Sequence, residues 1–458
     1  MKNRILLLMM ASGLIATAQF DKSSCPANLS IFAEFAKVKN YDSAYQPWLE
    51  VRNNCPELNV ATFKYGERIL NHKIKNATDD KAALQASLIS LYDDWLTYFP
   101  NTKRGASEVG RILSSKAQAM VDNELGTKRE AYEIFDKAFT QDPKSFTSPK
   151  NLYTYFKTAY QLYKEGDKTA EVLFDKYEEV SEKFELEQTN LAKKLDVILK
   201  KLESGEALTS REQRNKRVYE TNTLAFSTYA GNLDAMISKE SSCENLIPLY
   251  RKNFEANRSD SVWLNRAASR MDAKECSDDP LFVELVEALH AINPSANSAY
   301  YLGILKDKAG DSKAALAYYE ESLTLEQDQY RKADILYKIA VKFKKRNLKS
   351  KSRSYARKAL KNRPSMGKAY MLIASLYAAS ANDCGNTQFE KRAVYWLAAT
   401  TARKAATVDS GVKKTALKLA ASYEGRAPSK TDIFTEGRAG ETISFSCWIN
   451  SSVMVPQL

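Results

Sequence analysis

Between Ala296 and Ser410 the chain repeats itself, and that repeat leaves few folds open. Ser298-Ala-Tyr-Tyr-Leu-Gly303 is followed by Ala315, Tyr319 and Ser322, at offsets of twelve, sixteen and nineteen from Gly303. Ile339-Ala340 and Phe343 restate the opening, with Ser352, Ala356, Ala359 and Pro364 after them, and Ile373-Ala374 and Tyr377 state it again. The step from Ala340 to Ala374 is 34 residues. Small and aromatic residues at helical spacing within that period describe a unit of two antiparallel helices that stacks on its copies. A small residue at Gly303, Ala340 and Ala374 lets the two helices of a unit approach closely. Residues sixteen and nineteen positions on fill the seam with the next unit. Glycine and proline are scarce, at 16 and 12, which suits helices and argues against a sandwich or barrel.

These positions resemble the tetratricopeptide repeat (TPR) family, whose members mostly bind other proteins. The resemblance implies an all-α, right-handed TPR-like α-solenoid of antiparallel helix pairs, acting as a scaffold rather than an enzyme. It also implies a concave groove lined by the first helices of successive units. Tyr300, Ile304, Tyr337, Val341, Lys344, Lys368 and Met371 occupy the family's groove positions. They form an aromatic and aliphatic strip with basic ends, suited to an extended or helical peptide. The family's carboxylate clamp for chaperone tails is not reproduced. Lys368 fits one of its positions, but Tyr300, Ile304, Lys338 and Leu372 stand where Lys, Asn, Asn and Arg would be wanted.

The amino terminus reads as a secretory leader at residues 1–18. Lys2 and Arg4 precede an apolar run from Ile5 to Ala16, and Ala16-Thr-Ala18 fits the small-residue cleavage rule. The run is too short for a stable membrane span, and no later stretch is long and apolar enough for one. An exported protein of the periplasm, cell surface or medium is expected, with partners in the cell envelope. The formal charge of +12 falls to +10 when the two leader cations are removed. Export makes nucleic acid an unsuitable partner for that charge. Anionic lipid, acidic glycan or acidic protein remain.

The mature chain divides by pattern. Residues 19–203 read as degenerate TPR-like hairpins, with helices at Leu29–Lys39, Asp42–Arg52, Asn59–Lys75 and Lys81–Tyr98. Ala131, Phe135, Ala138 and Pro143 match the second helix of a unit. Ala170, Phe174 and Tyr177 form a packing face, and Leu191, Leu195, Ile198 and Leu202 make Glu185–Glu203 an amphipathic helix. Residues 204–217 are a hinge or a helix continuation, 218–410 the clear array, and 411–458 a capping helix with a tethered tail. In the third clear unit Ala374 to Ala398 spans 24 residues where twelve are expected, so its inter-helix loop carries an insertion around Cys384. From Thr442 to Cys447 polar and apolar residues alternate, the period of a strand. Gly440-Glu-Thr-Ile443 with Cys447-Trp-Ile449 resembles an ending of exported TPR proteins of Gram-negative bacteria.

Six cysteines in an exported chain suggest disulfides, with fifteen pairings to choose from. Cys25 and Cys55 bracket one helical hairpin and Cys243 and Cys276 another, and antiparallel helices bring such outer ends together. Cys384 and Cys447 are left for each other, which would fold the Glu441–Ile449 strand over the last helices with Trp448 near the exposed end. Each bridge stabilises by roughly 3–4 kcal/mol in the chain-entropy model. Zinc would need tighter spacing, and no C-x-x-C occurs.

No cofactor or metal is expected. Glu287-Ala-Leu-His290 places a carboxylate and an imidazole on one helix face, but a di-iron bundle needs two such pairs. Ser365-Met-Gly-Lys368 matches S-x-x-K without the partner motifs of that chemistry, and it sits at a repeat junction. One run does ask for a partner. Lys342, Lys344, Lys345, Arg346, Lys349, Lys351, Arg353, Arg357, Lys358, Lys361 and Arg363 lie in a stretch that contains no acid. Unopposed cations repel one another, which favours an anionic surface at 342–363, of lipid or glycan, as the alternative to a protein partner.

Overall fold

The computed structural model describes residues 22–458, so the leader expected at 1–18 lies outside the described residues. Two compact units divide between Asn151 and Leu152. The first holds α1 (Cys25–Lys37), α2 (Tyr41–Asn54), α3 (Ala61–Asn76), α4 (Lys81–Tyr98), α5 (Val109–Asp122) and α6 (Lys128–Gln141). Local chemistry sets its turns. Lys39 takes a left-handed φ of 63°, and Asn40 then caps α2 by accepting the Ser43 N–H. Thr127 and Glu130 cap the start of α6 reciprocally. Trp48, Phe63, Leu88, Leu91 and Trp95 fill the core of this unit. Trp48 Nε1 donates to the Thr62 carbonyl at 2.7 Å, which satisfies a donor that burial would otherwise penalise.

The second unit begins with α7 (Pro149–Lys164), whose first turn spans the division, followed by α8 (Ala170–Glu203) and α9 (Ser210–Ile237). The packing face at 170–177 and the helix at 185–203 are one helix of 34 residues. No Gly or Pro interrupts it, and Leu173, Tyr177, Val180, Phe184, Leu191 and Leu195 keep a continuous buried stripe. Leu202, expected on that stripe, is exposed. Of the stretch 204–217, residues 204–209 form a short loop, and the remainder opens α9 under a Thr209–Glu212 capping box. That loop turns α8 back against α9.

The array follows: α10 (Cys243–Asn257), α11 (Ser261–Ala273), α12 (Pro280–Ile292), α13 (Ala296–Lys308), α14 (Ser312–Leu325), α15 (Gln329–Lys345), α16 (Lys349–Asn362), α17 (Gly367–Ala378), α18 (Gln388–Val408), α19 (Lys413–Glu424) and α20 (Lys430–Glu436). α11 pairs with α12, α13 with α14, α15 with α16, and α17 with α18. The repeat positions lie in the seams: Ala315, Tyr319, Ala340, Phe343, Ala356, Ala359, Ala374 and Tyr377 are all buried. A Cβ added at Gly303 would stand 2.5 Å from the Tyr319 ring, so the close approach needs glycine there. The insertion is only partly loop. Phe389, Ala393 and Trp396 extend the buried stripe of Ala398, Ala402 and Ala405 upstream, adding turns to α18.

Three disulfides join Cys25 to Cys55, Cys243 to Cys276 and Cys384 to Cys447, with Cα separations of 6.4, 5.4 and 5.6 Å. The tail differs from the lone strand expected at 441–449. β1 (Thr442–Phe445) pairs antiparallel with β2 (Ser451–Met454), which satisfies one edge of backbone groups that a single strand would leave open. Trp448 does not lie at the end of the array. Its Nε1 donates to Ser380 Oγ at 3.1 Å, and its ring stacks under the Arg353 guanidinium of α16 at 5.0 Å. Arg353 also donates to the Trp448 carbonyl at 2.9 Å and to that of Ile449. The tail thus clips α16 to the end of α17, because Arg353 gives the loop between the strands two charge-assisted hydrogen bonds.

Candidate functional site

Within the second unit, α8 crosses the inner side of the array and turns its groove into a roofed cleft of about 960 Å³. One wall comes from α8 (Glu178, Ser181, Glu182, Glu185, Gln188, Thr189). The facing wall comes from the first helices of the units: Arg266 on α11, Tyr301 on α13, Arg331, Asp334, Ile335 and Lys338 on α15, and Lys368 on α17.

The roof is fixed at both ends. At one, the buried pair Glu178–Arg270 is bonded through Nε at 2.9 Å, and the Arg270 guanidinium lies 3.9 Å from the Tyr177 ring centroid. Arg266 adds a two-pronged bond to Glu182 at 2.9 and 2.8 Å. At the other end Leu195 and Leu199 pack on Val408 and Tyr370. There Asp196 accepts the Ser365 N–H at 2.9 Å, and Lys193 pairs with Asp328 at 2.8 Å. Burial pushes the Glu178 and Asp196 carboxyls above the usual range, with Arg270 and the Ser365 hydrogen bonds opposing. Burial also raises Asp409, which accepts the N–H groups of Gly367 at 3.2 Å and Gly411 at 2.9 Å. Asp334 behaves oppositely. Its burial is overcome by Lys368, at 2.9 Å, and by Arg363, at 3.6 Å, which together hold it below the usual range.

Of the seven residues expected to line the groove, only Lys368 faces the cleft. Tyr300 and Ile304 are 2% exposed. Tyr300 packs against Tyr301 and Tyr319, and its hydroxyl donates to Asp272 at 3.4 Å. One residue along a helix is a rotation of about 100°, so Asn297 and Tyr301 face the cleft while Tyr300 and Ile304 face the seam. Tyr337 is half-buried with the Lys368 ammonium 4.8 Å from its ring. Val341 and Met371 are half-buried, and Lys344 donates to Ser375 Oγ at 2.9 Å.

The basic run is largely opposed, contrary to its appearance in sequence. Lys342 meets Asp272 at 2.6 Å, Lys345 meets Glu275 at 2.5 Å, Lys349 meets Asp383 at 3.1 Å, Arg346 meets Asp307, and Arg363 meets Asp334. Arg353 is taken by the tail, and Arg357 donates to the Tyr377 hydroxyl at 3.3 Å. Lys351 and Lys358 lie over the rings of Phe343 and Tyr355, and Lys361 is exposed. The run is mostly cross-bracing between helices. The two motifs weighed for chemistry are structural too. His290 Nδ1 lies 3.0 Å from the fully buried Ser298 hydroxyl, within the turn that starts α13, while Lys368 points to Asp334 rather than Ser365.

Among the described residues, no group of three or more His, Cys, Asp or Glu is placed to hold a metal ion. None of the described helices is long and apolar enough to cross a membrane. The α8 wall escaped the sequence reading because its polar stripe looks solvated. The available signal was Ser181, Glu182, Glu185, Gln188 and Thr189 on a second face of the helix, beside the buried stripe of Val180, Phe184 and Leu191.

The fold is that of a TPR-like α-solenoid, defined by its helix pairs and their 34-residue step. Solved structures similar to this chain include a tetratricopeptide repeat protein from Parabacteroides merdae (13% identity, 68% of this chain and 97% of that one, TM-score 0.24). Others are yeast Tom70 (12%, 90% and 82%, 0.26) and the APC/C hetero-tetramer Cut9–Hcn1 (11%, 87% and 64%, 0.30). No family model and no curated protein matches the chain. The fold class rests on the helix pairing, not on these weak superpositions.

Proposed function

We propose that this protein is an exported, non-catalytic scaffold of the periplasm or cell surface that holds a protein partner by an extended or helical segment. The observation that carries the reading is that α11, α13, α15 and α17 each deliver side chains to one cleft. A stacked array uses such a surface to bind along its length. The leader read at 1–18 and the bridging of all six cysteines support an oxidising, exported setting. The test is capture from envelope extract at low and high salt, using the mature protein and Arg331→Glu, a charge reversal in the cleft. A partner held by the former and lost by the latter supports the scaffold, and recovery of no protein at any salt refutes it. Salt-sensitive sedimentation with anionic liposomes, without a protein partner, would favour the basic face at 342–363 instead.

A further inference from the structure

A helix facing the inside of a protein normally turns an apolar stripe inward. α8 does so through Val180, Phe184 and Leu191, but the face it turns to the cleft carries Ser181, Glu182, Glu185, Gln188 and Thr189. Ser181 Oγ is buried without a hydrogen-bond partner. Glu185, one turn on, lines the cleft as an exposed side chain with no hydrogen bond or ion pair among the described residues, and partial desolvation by the facing helices raises its carboxyl above the usual range. The other charges of the lining are engaged. Glu182 is bound by Arg266, Glu326 by Arg331 at 3.3 Å, Asp334 by Lys368 and Arg363, and Asp409 by two backbone N–H groups. Lys338 faces Glu185 from α15 but lies over the Tyr300 ring, 5.7 Å from its centre.

Shape narrows the ligand. Neighbouring packed helices lie about 8–10 Å apart, so the cleft from α11 to α17 runs roughly 24–30 Å. The volume of about 960 Å³ spread over that length averages roughly 32–40 Å² in section, an elongated cleft that suits a chain better than a compact molecule. Extended backbone covers about 3.3–3.6 Å per residue, so about eight residues fit.

We infer that the cleft takes an extended peptide of about eight residues and that Glu185 selects one carrying Lys or Arg opposite it. Gln188 on the same helix supplies hydrogen bonds to that peptide. This rests on the scaffold reading and specifies its partner through α8, a wall that the repeats alone do not contain.

The test uses the mature, oxidised protein and four octapeptide pools, randomised except for a fixed fifth residue: Lys, Arg, Gln or Glu. The Lys and Arg pools should be retained about tenfold better than the Glu pool, the size of one charge-assisted hydrogen bond. Glu185→Gln, which keeps the shape, should remove that preference. Lys338→Met, which removes an internal competitor for Glu185, should enlarge it. Unchanged circular dichroism and disulfide maps establish that the variants are folded. Equal retention of all pools, or an undiminished preference in Glu185→Gln, overturns the inference. Retention of none, while the envelope partner is still captured, overturns the cleft site alone. Loss of both overturns the scaffold reading itself.

Discussion

Gly303→Ala sets helix propensity against packing at the seam between α13 and α14. Alanine is favoured over glycine inside a helix by about 0.8–1 kcal/mol, so an unconstrained site would gain that much. The seam opposes the gain. The new Cβ would lie 2.5 Å from two Tyr319 ring carbons, whereas such atoms rest at about 3.5–4.0 Å, so ring or helix must retreat by roughly 1 Å. Tyr319 is 1% exposed and lies between Tyr300 and Phe343, which leaves it little room. Overpacking of this kind costs about 1–3 kcal/mol, for a net loss of roughly 1 kcal/mol. Amide exchange read on α13 and α14 peptides of the full chain reports the local stability without assuming a single unfolding step. Tyr319→Ala alone should cost about 3–5 kcal/mol, and the double variant less than the sum, with a coupling of about 1–3 kcal/mol. A gain in protection in Gly303→Ala, with no coupling to Tyr319, would show that the helices separate freely and that the small-residue reading is wrong.

Arg270→Met should lower stability by about 3 kcal/mol by stranding buried Glu178, and Glu178→Met in addition should restore most of it. Faster exchange in α8 and α11 is the readout, and no change in the single variant would refute the clamp. Cys447→Ser should make residues after 437 the first site of proteolysis, and protection equal to wild type would show that Arg353 and Trp448 hold the tail unaided. At Glu212 the Thr209 backbone N–H, with Lys201, holds the carboxyl at about 2, below its ordinary 4.5. A lowered folded value means that the α9 cap is intact at neutral pH and is lost as pH falls from about 4.5 toward 2. Exchange in the first turn of α9, corrected for intrinsic rates, should rise across that window and become insensitive to it in Glu212→Gln.

The helices, their pairing and two of the bridges were legible because each depends on nearby positions, and the third, 63 residues apart, followed from the other two by elimination. Cys25 and Cys55 need only the hairpin between them, and Ala340 and Ala374 only the repeat. The cleft was not legible, because α8 meets its partners across long separations. Arg270 lies 92 residues from Glu178, Asp328 135 from Lys193, and Ser365 169 from Asp196. No local period carries that information. The basic run misled for the same reason, since Lys342 and Lys345 find their carboxylates 70 residues upstream. Groove positions transferred by resemblance missed by a single helical step, enough to turn Tyr300 from the cleft into the core.

The order of the bridges has a consequence for biogenesis. Along the chain the first cysteine joins the second, the third the fourth, and the fifth the sixth. On the export route proposed above, a chain delivered amino terminus first would present each partner before the next pair arrives. An oxidant that couples thiols in order of arrival then makes the native set directly, without an isomerase to sort fifteen alternatives. The last bridge waits for Cys447, 63 residues after Cys384, so it closes only after the helices between them have been delivered.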